Sequence, residues 1–438
     1  MHKFFTNIKR IFTIPELRSR ILNTIGLILI FRLGAFIVLP GIDATKLTGK
    51  ATGILGLLDV FLGGAFSNVS IFGLGIMPYI SASIAVQLLT IAVPYFHKIQ
   101  REGQSGRKTL GNITKAVTLI LAVIQSLSYL MATVSDELLL INKSLFFALS
   151  IFVLPAGTMA CVWIGDRITD KGIGNGVSML IMVGIVSTLP GALFEELTLR
   201  GSKGILIFLV EIIILFLILV IVVMFTQAVR KIPLQYAKQV LRSLVHRGER
   251  QYLPIKLNSA GVMPIIFAQV IMFAPALMMN LIASNSESAA GITQFLGDFT
   301  SWQYNLIFSV LIIGFTYFYT AVSINTMQIS DDLKRNNGFI PGISPGKATA
   351  DFIDSILSKT TLSGSLFLAI VSVFPALAYI LGVSKSFSRF FGGTSLLITV
   401  GVVLDSLQQI ESHLLLRHYD HMMDSGKIQG GMVSPKGL

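Results

Sequence analysis

Residues Ile205 to Thr226 read ILIFLVEIIILFLILVIVVMFT, which is 22 consecutive residues with one charge, Glu211. A helix of that length rises roughly 33 Å, enough to cross a hydrocarbon core of about 30 Å. A water-facing helix needs a polar stripe, and this run has none. Nine further apolar windows reach spanning length, at about 21–39, 75–96, 112–134, 144–165, 174–194, 261–283, 304–324, 361–381 and 392–414. Ten windows predict an all-α polytopic membrane protein with ten spans. Composition agrees: 13% of the 438 residues are charged and 53% hydrophobic, against roughly 25% charged in soluble chains. A soluble enzyme, a disordered tail protein and a disulfide scaffold are excluded, the last because Cys161 is the only cysteine.

The first window is expected to stay in the chain rather than leave as a signal peptide. Its charged lead (Lys3, Lys9, Arg10, Arg18, Arg20) is long, and Val38-Leu39-Pro40-Gly41-Ile42-Asp43 offers no small-x-small cleavage site. Orientation follows from the bases. One face takes 26 of the 34 lysines and arginines and the other takes 7, with Arg32 inside the first window. Basic loops stay in the cytoplasm, so both termini are expected there.

One segment fits no simple span. Gly53 to Gly75 is apolar but interrupted by Gly56, Gly63, Gly64 and Gly73, and it contains Asp59 and Asn68. Such backbone is tolerated at membrane depth only where protein buries it or it lines a cavity. The pattern fits either a short half-inserted helix leading into the second span or an interfacial helix at the outer face.

Motifs for soluble chemistry fail. In Gly342-Ile343-Ser344-Pro345-Gly346-Lys347 the glycine spacing is one residue short for a phosphate loop, and Ala348 stands where a Ser or Thr would hold magnesium. Gly172-Ile173-Gly174-Asn175-Gly176 follows no strand. His418 and His421 lack the carboxylate pattern of a metal site, so neither metal nor cofactor is expected. The ionisable residues within spans, Arg32, Glu211 and Asp405, lie on three separate windows, and bonding between helices suits them better than catalysis. Ile80 and Ile84 share a helix face at i, i+4, and Val177 and Ile181 repeat the spacing. On pattern alone these pairs read as ordinary helix packing.

From Arg230 to Lys256 seven bases face one acid, Glu249. Topology needs only a few of them, and a loop so basic also suits an anionic partner such as ribosomal RNA or an acidic protein surface. The two roles can share residues. Candidate docking residues are Arg242, Arg247 and Arg250 here, and Lys334 and Arg335 in the next basic loop.

Several motifs together carry a resemblance. These are residues 73–84 (GLGIMPYISASI), Arg101 to Lys108 (REGQSGRK), residues 172–176 (GIGNG), Phe339 to Ile343 (FIPGI) and Gly392 to Ile398 (GGTSLLI). In this order, over nearly the whole chain, they resemble the SecY family of protein-secretion channels. The resemblance implies two five-helix halves (21–194 and 195–414) in inverted pseudo-symmetry around an hourglass pore. The first follows a cytoplasmic segment 1–20. The second carries cytoplasmic loops at 227–260 and 325–360 and is followed by a cytoplasmic tail 415–438. It implies a pore ring of Ile80, Ile84, Val177, Ile181, Ile266 and Ile398. It also implies a re-entrant plug over about 57–72, including Leu57, Leu58, Asp59, Phe61, Gly63, Gly64, Phe66 and Asn68. A lateral gate would form between the second and seventh spans, with Gln87, Gln125, Asn258 and Phe273.

The implied function is a channel, not an enzyme, passing unfolded secretory chains across the bacterial inner membrane and releasing membrane helices into lipid. Implied partners are SecE- and SecG-like subunits, the SecA ATPase, the ribosome, signal sequences and nascent chains. The chain departs from the family pattern at Ser344, where an arginine is usual, and at Asn325-Thr326-Met327-Gln328, where many members have Asn-Pro. The first departure bears on docking of the motor ATPase. The competing classes are a secondary transporter with a midplane site, which needs coupling acids lining the cavity, and an intramembrane enzyme, which needs a converging catalytic set.

Overall fold

The computed structural model describes residues 14–43, 59–134, 138–201, 204–236, 251–282 and 298–424, with side chains described at most of these positions. Ten of its helices coincide with the ten apolar windows: α1 (Pro15–Phe36), α2 (Met77–Ala92), α4 (Gln104–Thr133), α5 (Lys143–Lys171), α6 (Gly176–Arg200), α7 (Ile205–Gln227), α8 (Met263–Ile282), α9 (Trp302–Ser323), α11 (Lys347–Ile380) and α13 (Gly393–Asp424). Three shorter helices join them, α3 (Pro94–Arg101), α10 (Thr326–Arg335) and α12 (Lys385–Ser388). Eight of the ten meet the length and hydropathy of a span. The second window, expected as one span over 75–96, instead breaks at Val93, and α3 turns aside from α2 by 99°. Pro94 is the reason: it opens α3 and forces Val93 into extended backbone.

Membrane burial shows in what each helix leaves bare. On α7, Leu206, Leu209, Phe216 and Met224 are all more than half exposed, and only Glu211 and Val222 are buried. A helix with apolar side chains on every face can only present them to lipid. The molecule is a multi-pass membrane protein. Helices α2, α6, α8 and α13 turn inward and share one central aliphatic cluster, while α7, α8, α9, α11 and α13 pack in another.

An all-helical reading leaves out the segment after α7. Strands β1 (Val229–Tyr236) and β2 (Gln251–Lys256) form an antiparallel hairpin, and β3 (Gly338–Phe339) pairs with the end of β1. Arg230, Lys231 and Lys256 stay exposed here, while Ile232, Leu234 and Ile255 point inward onto Ile340, Ile353 and Leu357. Period-two alternation under a run of bases is the strand signal in this stretch. Pro233 and Pro254 hide it, because proline is depleted in strands away from their edges. Arg242, Arg247 and Arg250, between the two strands in sequence, lie outside the described residues.

The described part of the glycine-broken segment, from residue 59, is no spanning helix. Residues 59–62 are helical and a series of turns follows up to α2. Phe61, Leu62, Ala65, Phe66 and Val69 are buried within the helix bundle. Burial in protein of this kind is consistent with a half-inserted segment, whose backbone needs partners at membrane depth. Leu57 and Leu58 lie outside the described residues.

Candidate functional site

The six aliphatic positions singled out above converge. Ile80 and Ile84 come from α2, Val177 and Ile181 from α6, Ile266 from α8 and Ile398 from α13. The five isoleucines are buried in one cluster and Val177 packs against it. The i, i+4 spacing on α2 and α6 sets two layers on each helix, and Ile266 and Ile398 approach from the other part of the chain. Four of the six, Ile80, Ile181, Ile266 and Ile398, line a cavity of about 20 Å³, room for one water or so. Among its described lining residues Gln269 alone is polar, and its amide donates to the Tyr304 hydroxyl at 3.4 Å. Sequence reasoning missed Gln269, since one glutamine in an apolar window carries no periodic signal.

Local sequence explains how these helices are aimed. The 172–176 motif is a corner, not a phosphate loop. The Asn175 side chain caps α6 by accepting from the Ser178 N–H at 3.3 Å. The Ile173 N–H donates to Thr24 Oγ1 at 3.1 Å and the Gly174 N–H to Gln409 Oε1 at 2.8 Å. The corner therefore ties α6 to α1 and α13. The sequence 342–347 is likewise a turn before α11, with Ser344 exposed. The Asn325 side chain caps α10 by accepting from the Gln328 N–H at 3.1 Å. Thr326 in place of proline therefore leaves the helix start intact. Lys334 and Arg335 stand exposed at the other end of α10.

The segment from 59 to 75 closes the space beside the constriction, where Phe61 and Leu62 reach the same cavity. It is folded on itself: Asp59 accepts from the Ser67 N–H at 2.9 Å and the Ser67 hydroxyl at 2.7 Å. It meets α6 backbone to backbone, since a Cβ on Gly184 would come within 2.2 Å of the Phe61 carbonyl oxygen. The Asn68 N–H donates to the Gly64 carbonyl at 3.1 Å. Burial pushes the Arg389 guanidinium down, while Asp59 and Glu195 hold it up.

The polar residues expected at a gate are less connected. Gln87 on α2 and Gln125 on α4 are half-buried, and Asn258 is buried in the turn before α8. Among the described residues no hydrogen bond joins their side chains, and Asn258 Oδ1 has no partner. Asn258 lies against Gly364 of α11. Phe273 lies on α8, beyond the described side chains. Helix α8 does pack directly on α2 and α4, so one non-covalent seam separates it from both.

The charged residues within spans do not converge. Arg32 donates to the Gly63 carbonyl at 3.1 Å, Asp405 is exposed on α13, and Glu211 pairs with Arg200. Arg200 also holds Glu196 at 2.9 Å and donates to the Gly382 carbonyl at 2.7 Å, while Glu196 accepts from the Ser384 N–H at 2.8 Å. These are structural bonds between helices and loops.

Known proteins with this architecture agree. Residues 70–407 match the SecY family model. The chain is 38% identical over 435 residues to the protein translocase subunit SecY of Streptomyces scabiei, covering 95% of this chain and 99% of that protein. Among solved structures it resembles one described as a protein-conducting channel, with TM-score 0.64 at 16% identity over 90% of this chain and 92% of the other. It also resembles Sec61 from the canine ribosome-channel complex of the endoplasmic reticulum, with TM-score 0.61 at 15% identity and the same coverage. Identities that low establish the fold, whereas the family model and the near-full-length relative establish kinship. By both its architecture and its sequence, this chain belongs to the SecY family.

Proposed function

We propose that this chain is the channel subunit of a protein translocase. Unfolded secretory polypeptides cross between α2, α6, α8 and α13, and apolar helices leave sideways between α8 and the pair α2 and α4. The observation that carries this reading is the meeting of six branched aliphatic side chains from four helices in and against one buried apolar cluster. A channel that passes every secretory sequence cannot offer fixed hydrogen-bond partners, because those would select among chains. An aliphatic ring closes by packing and by excluding water, and it widens without leaving polar groups unsatisfied. Among the described residues, the one polar side chain lining the cavity, Gln269, is already engaged by Tyr304.

In this reading the residues from about 57 to 72 are the plug, which adds a second seal on one side of the ring. The gate seam holds through packing and weak polar contacts, each worth roughly 0.6–2 kcal/mol in lipid, which a signal sequence can replace. The excess of bases at the hairpin end supports placing that end and both termini in the cytoplasm, with the chain in the bacterial inner membrane. The exposed bases of the hairpin and of α10 then face the ribosome or a SecA-type motor, and small SecE- and SecG-like subunits cover lipid-facing helices. The family is one of channels, and we read no catalytic role into the chain.

Site-specific crosslinking of a stalled secretory precursor tests the reading. A photoreactive residue at position 80 or 266 should trap the precursor, whereas one at the lipid-facing Leu206 should not. A precursor that crosses the membrane without reaching either position sinks the channel assignment.

A further inference from the structure

Resting on the reading of residues 59–75 as the plug, we propose that Arg32 is its latch. The side chain of Arg32 in α1 holds the leading part of the plug, residues 59–67, in the closed channel and must let go before the pore opens. The segment is attached at two places of different character. Its far end is strapped to the end of α1 by backbone: the Leu39 N–H donates to the Val69 carbonyl and the Ile71 N–H to the Ile37 carbonyl, both at 2.9 Å. That strap has the form of a hinge. The near end is a closed unit, because Asp59 and Ser67 bond each other across it. Two side chains from the surrounding helices hold that unit by its carbonyls, Arg32 on Gly63 at 3.1 Å and Tyr129 on Phe66 at 2.8 Å.

The turn that presents the Gly63 carbonyl is built around Arg32. Gly63 has φ +63°, and a Cβ there would lie 2.3 Å from Arg32 Nη1, 2.7 Å from Ser187 Oγ and 3.0 Å from Gly184 Cα. Only glycine lets the backbone press between α1 and α6 in this way. The chemistry of the acceptor suits a contact that has to break. Among the described residues Arg32 makes no ion pair. Its guanidinium is steadied by the Phe36 ring at 5.3 Å and donates to a neutral carbonyl. A carboxylate in that place would form a buried pair too costly to separate. A charged donor on a carbonyl is firm enough to hold the plug, and water in the opening pore can replace the carbonyl.

The test uses the full chain, assembled with its partner subunits in liposomes. The natural thiol is removed (Cys161→Ala) and a reporter cysteine is placed on the plug (Asn68→Cys). A membrane-impermeant maleimide then reports plug release and ion flux reports leak. Arg32→Met keeps the stem and removes the donor; it should raise labelling at position 68 about tenfold, the worth of one charge-assisted bond, and raise resting leak with it. Arg32→Lys, which keeps a charged donor, should restore most of the protection, and Tyr129→Phe should raise labelling by a smaller factor. If Arg32→Met does not assemble, Gly63→Ala, which drives Nη1 off the carbonyl, carries the same expectation. Unchanged labelling in Arg32→Met overturns the latch. So does an Arg32→Lys variant as open as Arg32→Met, or equal unmasking of a control cysteine at buried Ser365. Deleting residues 60–66 separates the two claims. A leaky deletion beside a tight Arg32→Met defeats only the latch, whereas a tight deletion defeats the plug reading and the latch together.

Discussion

The aliphatic ring and the Arg200 cluster are both buried, and both join α6 to helices that follow it in the chain, yet they are built from opposite materials. The ring has no directional bond between its members. Ile80 and Ile266 are 8% and 7% exposed, and they hold one another by dispersion alone. In the cluster the Glu196 and Glu211 side chains are 1% and 7% exposed, and both depend on one arginine. Arg200 further engages the Gly382 carbonyl, and Glu196 the Ser384 N–H. Dispersion contacts can be lost and regained a few at a time, so a dispersive seal can widen around any side chain. Buried charges with one shared partner have no such intermediate, because separating them leaves bare charge away from water. On the proposed reading the difference teaches where this molecule moves: α6 stays joined to α7 and the 382–384 turn at the cluster while the helices part at the ring.

The sharpest way to break that comparison is to remove the shared arginine. Arg200→Met keeps much of the packing and strands two carboxylates, so it should cost about 3–5 kcal/mol. Thermal unfolding of the assembled complex in detergent should show a large downward shift. Adding Glu211→Gln should recover part of it, as expected for residues in one network. A shift below about 1 kcal/mol would make the cluster as expendable as any surface pair.

The ring should respond in function rather than in stability. Ile84→Asn with Ile266→Asn is expected to cost about 1 kcal/mol per site, the low end for burying an amide. Ion leak through the resting channel should rise several-fold, and precursors with weak signal sequences should pass more readily. Normal conductance in an assembled variant would reduce these isoleucines to helix packing. The milder pair Ile84→Val and Ile266→Val removes one methyl at each site, costs about 0.5–1.5 kcal/mol each and should leak only slightly.

The smallest effect is expected where charge is exposed. Lys334→Glu with Arg335→Glu should leave stability within about 0.5 kcal/mol. Binding to ribosomes or to a motor ATPase should weaken a few-fold, and added salt should weaken the unaltered contact in the same direction. Salt-independent binding that ignores the reversal would remove α10 from the docking surface.

How far sequence reasoning reached differs along the chain for physical reasons. Ile205 to Thr226 could only be a lipid-facing helix, because 22 residues with one charge have no polar face to show to water. The same argument placed all ten windows on helices, and the second departed from it at Pro94, where the break is local chemistry. The hairpin escaped notice because two prolines sit in it, and its strands are recognisable only once Ile353 and Leu357 lie beneath Ile232 and Ile255. For the segment 53–75 the pattern left two arrangements open, since free backbone is acceptable at an interface or inside protein alike. Burial of Phe61, Phe66 and Val69, visible only in the packed bundle, favours the second.

The sites divide in the same way. Ile80 and Ile84, or Val177 and Ile181, are indistinguishable by spacing from any packed helix pair. Family resemblance marked them, and the approach of α2, α6, α8 and α13 from distant parts of the chain made them a constriction. Arg32 and Glu211 stood out as charges where charge is expensive, but their partners, the Gly63 carbonyl and Arg200, lie 31 and 11 residues away. A residue's cost of burial is a property of its own chemistry and its neighbours in sequence. Whether a particular carbonyl, carboxylate or isoleucine face offsets that cost depends on which helices meet, and that was decided only when the chain packed.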